Sequence, residues 1–176
     1  MEKIDELVRR ARKGDETAIT RLVGIYKGFV YTIAYRMVND PDRAEDITQE
    51  TFIRAFIKID SLKDPGRFKT WLGKITRNLI YDHLRQERKE WIEVVVTNPG
   101  DGMASIRRRV IIQKALSRLR EQDRMLLVLT YFKGLSLREV GKIMEIPEAD
   151  IRVYIHRARR RLRKELKGYE EELLSV

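Results

Sequence analysis

Side chains able to do bond chemistry are scarce in this sequence, and side chains able to hold a polyanion are abundant. Among 176 residues there is no cysteine, and there are two histidines, His83 and His156. Without cysteine there is no thiol nucleophile, disulfide framework, iron–sulfur cluster or thiolate zinc site. Each histidine stands alone, with no second imidazole at ligand spacing, so neither a metal site nor imidazole catalysis is expected. Gly73-Lys74-Ile75 and Gly141-Lys142-Ile143 resemble pieces of a phosphate-binding loop but lack its glycine-rich cradle. Carboxylates are plentiful, yet they fall on polar helix faces where solvation is the default. The expectation is no catalytic residue, no cofactor, no small-molecule substrate and no enzyme.

Spacing favours the recognition of anions instead. Lys and Arg number 37 against 27 Asp and Glu, for a net charge of +10. The charge is uneven: residues 1–88 carry +4, residues 89–105 carry −2 and residues 106–176 carry +8. The densest stretch runs from Arg152 to Lys164, with seven basic residues and no acidic one. Like charges at i,i+4 repel, so a one-signed helix is mildly destabilised unless phosphates neutralise it. The opposite bias appears around Asp40, Asp42, Glu45, Asp46 and Glu50. Asp42, Asp46 and Glu50 share one helical stripe, which would repel DNA and suit a basic protein surface. A third constellation follows the loop 61–68: Trp71, Lys74, Arg77, Asn78, Tyr81, His83 and Arg85. Cations and amides on one face beside a loop can hold a single strand. Trp71 alone, with Leu72 and Ile75 at helical spacing, reads more readily as core.

These groups need helices to position them, and helical periodicity dominates the sequence. Asp15 opens a helix through Ile19, Leu22, Val23, Tyr26, Val30, Ile33 and Met37. Asn39-Asp40-Pro41 ends it and starts another, with Asp40 as N-cap and Pro41 in the first turn. That second helix buries Ala44, Ile47, Thr51, Phe52, Ala55 and Ile59. Asp64-Pro-Gly66 is turn chemistry, and a helix resumes near Phe68 or Thr70 and runs to about Arg88. Residues 89–105 are irregular and read as a linker. A second helical set follows at about 106–119, 122–133, 136–144 and 148–166, with Gly134 at a C′ position and Ser136-Leu-Arg-Glu139 as a capping box. No run is apolar enough to span a membrane; the longest, Met125 to Phe132, has eight residues. No secretory signal opens the chain, so a cytoplasmic protein without direct membrane insertion is expected.

The clearest local motif lies between Ser136 and Leu162. A capped short helix, a tight Glu145-Ile-Pro147 turn and a longer basic helix make a helix-turn-helix. The first residues of the second helix, Glu148, Ala149, Asp150, Arg152 and Val153, would reach base edges in the major groove. Glu or Asp can accept from cytosine N4, and Arg can bind guanine in bidentate fashion. His156, Arg157, Arg159 and Arg160 suit phosphates.

Two motifs then point to one family. Asp42-Arg-Ala-Glu-Asp-Ile-Thr-Gln-Glu-Thr-Phe-Ile-Arg-Ala-Phe56 followed by Phe68-Lys-Thr-Trp-Leu-Gly-Lys-Ile-Thr-Arg-Asn78 resembles domain two of bacterial sigma factors. Leu135-Ser-Leu-Arg-Glu-Val-Gly-Lys-Ile-Met144 followed by Ile151-Arg-Val-Tyr-Ile-His-Arg-Ala-Arg-Arg-Arg-Leu162 resembles domain four. Their order and short linker resemble the extracytoplasmic-function (ECF) class, over about residues 10–167. The resemblance implies an all-α fold of two small helical domains, 1–88 and 106–176, joined by a flexible linker at 89–105. It implies docking on the β′ clamp helices of RNA polymerase core through Asp46, Gln49, Glu50, Phe52, Ile53 and Arg54. It implies capture of the melted −10 strand by Ser61, Lys63, Phe68, Trp71, Lys74, Arg77 and Asn78. Domain four would read the −35 duplex with Ser136 and the residues 148–160 named above while packing on the β flap. The acidic linker would thread toward the active-site cleft of the polymerase. An anti-sigma factor is a further implied partner.

The chain departs from the pattern in places. Met144-Glu145-Ile146 stands where the class usually has Leu-Gly-Ile, so the turn lacks its glycine and should be strained. Asp150 and Tyr154 replace groups that commonly face DNA, implying an atypical −35 preference. Trp71-Leu72 replaces the paired Trp of housekeeping sigma factors, implying weaker melting at poor promoters. A stand-alone helix-turn-helix regulator would explain the C-terminal half but leave the acidic stripe without a role. A scaffold or anti-sigma-like protein would leave the basic run without one.

Overall fold

The computed structural model describes residues 3–86, 103–170 and 173. Most of the expected linker therefore lies outside the described residues, except that 103–105, expected at its end, form the first turn of a helix. Among the described residues all regular structure is helical, as the periodicity requires.

The first helix, α1 (Ile4–Arg12), is not foreseen from sequence. It buries Leu7, Val8 and Ala11 and carries acids in its first turn and bases in its last, in accord with the helix dipole. Gly14 turns the chain at φ 80°, and Asp15 caps α2 (Glu16–Val38) by accepting from the Ala18 amide. Leu22, Tyr26, Phe29, Val30, Ile33 and Met37 form the buried stripe of α2. Asn39, a residue that tolerates left-handed backbone, ends it at φ 56°. Asp40 then accepts from the amides of Asp42 and Arg43, and Pro41 opens α3 (Pro41–Ile57). Ile59, expected on this helix, is buried but belongs to a short 3₁₀ turn at Ile59–Ser61. A second such turn, Pro65–Arg67, is capped by Asp64 and leads into α4 (Phe68–Gln86).

The C-terminal half contains α5 (Met103–Ser117), α6 (Glu121–Leu127), α7 (Leu137–Met144) and α8 (Glu148–Glu165). Beyond Leu127, α6 widens into a π-helical turn at Val128–Phe132. Gly134 supplies the left-handed residue there, at φ 57°. The Ser136–Glu139 capping box is present in both directions.

The two halves are packed together. Met125, Leu126, Val128, Leu129, Val140, Ile143 and Met144 join Leu22, Ile33, Met37, Leu72 and Leu79 in one apolar cluster. Each fully buried Leu or Ile in it contributes about 2 kcal/mol. A smaller cluster, Leu116, Leu119, Leu127 and Ala158, fastens α5 and α6 to α8. Polar groups also cross the boundary. Arg36 bonds Gln113 at 3.0 Å and lies 4.4 Å from the Phe132 ring centroid. Lys133 Nζ donates to Gly28 O at 2.6 Å. Buried Arg124 donates to Met37 O, at the end of α2, at 2.6 Å.

Candidate nucleic-acid interface

The helix-turn-helix is built by three local devices. Ser136 caps α7. Gly141 lets the chain close: a Cβ there would lie 3.0 Å from the Ile146 carbonyl, and the Ile146 amide donates to Gly141 O at 3.0 Å. Glu145 makes the turn itself in the left-handed conformation, φ 58° and ψ 37°, so the missing glycine does leave a strained residue. α8 then buries Ile151, Ile155 and Ala158 on one side. Glu148, Ala149, Asp150, Arg152, Val153, Tyr154, His156, Arg157, Arg159 and Arg160 are exposed on the other, and Ser136 is exposed at the cap of α7. The basic run is not uniformly free. Arg161 pairs with buried Asp123 at 2.5 Å, pinning α8 to α6, and the Arg159 guanidinium lies 5.5 Å from the Tyr131 ring centroid.

On α3 the acidic stripe is a surface. Asp42, Asp46, Gln49 and Arg54 are exposed, and Glu50 is half-buried. Glu50 binds Arg54 at 2.5 Å and His83 of α4 at 3.3 Å. Partial burial pushes its pKa up, but the hydrogen bonds from His83 and Arg54 outweigh this and hold it below the ordinary value. Ile53 and Ile57 are 60% and 76% exposed beside these acids. Phe52, expected at the same surface, is buried instead and stacks on Phe56, because its position on the helix faces the core.

On α4, Ser61 and Lys63 of the preceding loop are exposed, as is Asn78. Phe68, expected to touch the strand, is fully buried between Tyr26 and Trp71, with ring centroids 5.3 and 5.9 Å away. Aromatic packing makes it a support for the loop. Trp71 is half-buried on it, in keeping with its core spacing. Lys74 and Arg77 both bind Glu145, at 3.2 and 2.9 Å, and Arg77 also binds Asn78 Oδ1 and the Ile143 carbonyl. Tyr81 has a buried hydroxyl, and burial raises its pKa to about 12. Among the described residues, no group of three or more His, Cys, Asp and Glu could hold a metal ion. None of the described helices is long and apolar enough to cross a membrane.

Both halves of the chain match known families. Family models for Sigma-70 region 2 and Sigma-70, region 4 match residues 22–90 and 109–162. The ECF RNA polymerase sigma factor SigW of Bacillus subtilis is 35% identical, over 93% of this chain and 97% of that protein. The chain belongs to the ECF sigma factors. The ECF sigma factor SigM of the same organism is 33% identical to it, over 82% of this chain and 93% of SigM. Two solved structures are similar to this sigma factor throughout. CnrH, in complex with the cytosolic domain of CnrY, matches with a TM-score of 0.73 at 25% identity, over 94% of this chain and 97% of that one. RpoE from Bartonella quintana, in complex with the anti-sigma factor NepR, matches with a TM-score of 0.69 at 26% identity, over 85% and 96%.

Sequence reasoning missed the contacts that bring the sigma factor's two halves together. Arg36, Arg124 and Lys133 carried no motif. Glu145 was visible only as a residue out of place in a turn.

Proposed function

We propose that this sigma factor binds RNA polymerase core and directs it to promoters by reading −10 and −35 elements, with no catalytic activity of its own. Residues 1–88 serve core binding and −10 capture, 89–105 connect, and 106–176 read the −35 duplex. The α3 face would dock on the β′ clamp helices through Asp46, Gln49, Glu50, Ile53 and Arg54, with Phe52 holding the helix in place. Ser61, Lys63, Trp71, Lys74, Arg77 and Asn78 would hold the melted strand, with Phe68 supporting the loop. The exposed side of α8 would enter the major groove, and domain four would rest on the β flap. An anti-sigma factor is a further partner, and the polymerase places the protein in the cytoplasm.

One observation carries the reading: an exposed acidic and apolar α3 face stands on the same chain as an exposed basic recognition helix. A duplex-binding regulator acting without polymerase has no use for the first. Run-off transcription with purified core polymerase on a genomic promoter library tests it. Transcripts that appear only with this chain support the reading, and their absence on every promoter overturns it.

Within α8 the two kinds of contact separate. Arg152→Ala is expected to lower −35 affinity by about 10-fold and relax preference at one base pair, since a bidentate Arg–guanine pair discriminates by about 1–3 kcal/mol. Arg160→Ala should weaken binding evenly across sequences and reduce the salt slope by about 1. Fluorescence anisotropy against a duplex panel at several salt concentrations distinguishes them.

A further inference from the structure

The strand-binding face of α4 is already occupied, and by this chain itself. Glu145 Oε2 lies 2.9 Å from Arg77 Nη2, and Glu145 Oε1 lies 3.2 Å from Lys74 Nζ. The remaining Arg77 donors go to Asn78 Oδ1 and to the Ile143 carbonyl near the end of α7. Lys69, one helical turn before Gly73, faces Glu139 of α7 at 3.7 Å. The anionic end of a helix and a carboxylate thus meet the cations as a phosphate would. Beneath them Ile143 packs on Gly73, where a Cβ would lie 2.7 Å from Ile143 Cδ1. Glu145 holds this position in a left-handed conformation that glycine would adopt without cost.

We propose that Glu145 is an internal phosphate surrogate, closing the single-strand face of α4 against the helix-turn-helix while leaving the duplex-reading face of α8 exposed. The free protein is therefore gated on one side only. The exposed residues of α8 can meet duplex DNA, and Asp42, Asp46, Gln49 and Ile53 can meet a protein, whereas buried Arg77 becomes available only when the halves part and half-exposed Lys74 is held meanwhile by Glu145. Glu145 is exposed and Lys74 half-exposed, so their pair is weak and salt-sensitive, whereas Arg77 meets the same carboxylate from a buried position. A phosphate backbone brought near by polymerase docking can therefore displace the carboxylate. The proposal rests on the strand-binding reading of α4 given above.

The test uses the full chain. Because the natural sequence has no cysteine, Asp60→Cys and Lys167→Cys accept a pair of spin labels, one on each half, whose separation is read by pulsed dipolar spectroscopy. DNA binding is read with a short single strand and a duplex, both of randomised sequence. Glu145→Gly keeps the turn, since glycine suits its backbone, and removes the carboxylate. Gly73→Val crowds Ile143 across the seam without touching a charge. Both variants should lengthen the distance between labels and raise single-strand affinity about 5-fold, as expected when the competent fraction rises by that factor. Duplex affinity should stay within about 2-fold on the same arithmetic, because α8 is already accessible. An unchanged distance or an unchanged single-strand affinity in Glu145→Gly would overturn the proposal, whatever Gly73→Val shows. Adding Lys74→Glu to Glu145→Gly separates the two readings. If single-strand affinity then falls, α4 is the strand site whatever the fate of the surrogate; if it does not move, the reading of α4 fails.

Discussion

The double substitution Asp46→Lys, Glu50→Lys is expected to lower affinity for core polymerase by at least about 30-fold, since losing one side of a desolvated charge pair costs roughly 2–5 kcal/mol. The geometry makes the effect specific. Asp46 is exposed, and Glu50 is held in place by Arg54 and His83 at 2.5 and 3.3 Å. A lysine at 50 would face the Arg54 guanidinium with like charge, lose the carboxylate that His83 meets and reverse the sign of the stripe, while Ile53 and Ile57 stay exposed beside it. Neither position contributes to the apolar cluster, so circular dichroism and the unfolding midpoint should change little. Anisotropy of the labelled chain titrated with core polymerase measures the loss. If affinity for duplex DNA fell equally, the stripe would not be a polymerase-docking surface.

Arg124→Met is expected to destabilise the chain by about 3 kcal/mol, because it strips a buried charged donor from several carbonyls at once. Arg124 is 2% exposed. It donates to Met37 O at 2.6 Å, Ser117 O at 2.9 Å and Leu119 O at 3.3 Å. One guanidinium therefore serves Met37 O at the end of α2, Ser117 O at the end of α5 and Leu119 O in the loop that follows. Burial pushes its pKa down to about 10, with the Glu121 carboxylate acting in the other direction, so it stays charged at neutral pH. Met fills similar space and makes none of these bonds. Arg124→Lys keeps the charge but, as a point donor, cannot span the planar fork, and should recover only part of the loss. Denaturant unfolding of the full chain gives both numbers, and a midpoint unchanged in Arg124→Met would refute the capping role.

Helix caps were the most legible part of the fold. Asp15, Asp40 and Ser136 act on amides two or three residues away, so the sequence window contains the whole interaction. The strained turn at Glu145 was legible for the same reason. α1 was legible in kind, since Ile4, Leu7, Val8 and Ala11 stand at i, i+3, i+4 and i+7, but at nine residues it is too short to be stable alone and is held by packing in the apolar cluster. Family motifs misplaced Phe52 and Phe68 for a different reason. A motif marks which positions matter without saying whether a side chain faces outward or supports a neighbour that does. The contacts between halves were illegible altogether. Lys74 and Glu145 stand 71 positions apart, and no periodicity within either half announces the other.

The apolar seam of Ile143 on Gly73, continuous with Met125, Leu126 and Val128, gives the closed form a thermal character. Parting the halves would wet that surface, and wetting hydrocarbon raises heat capacity. An association of this kind weakens on cooling near ambient temperature, while the half-exposed Lys74–Glu145 contact of its ionic clasp answers mainly to salt. Cold and salt thus act on separate components of the same closure, and a change in either one shifts how readily the strand face of α4 opens.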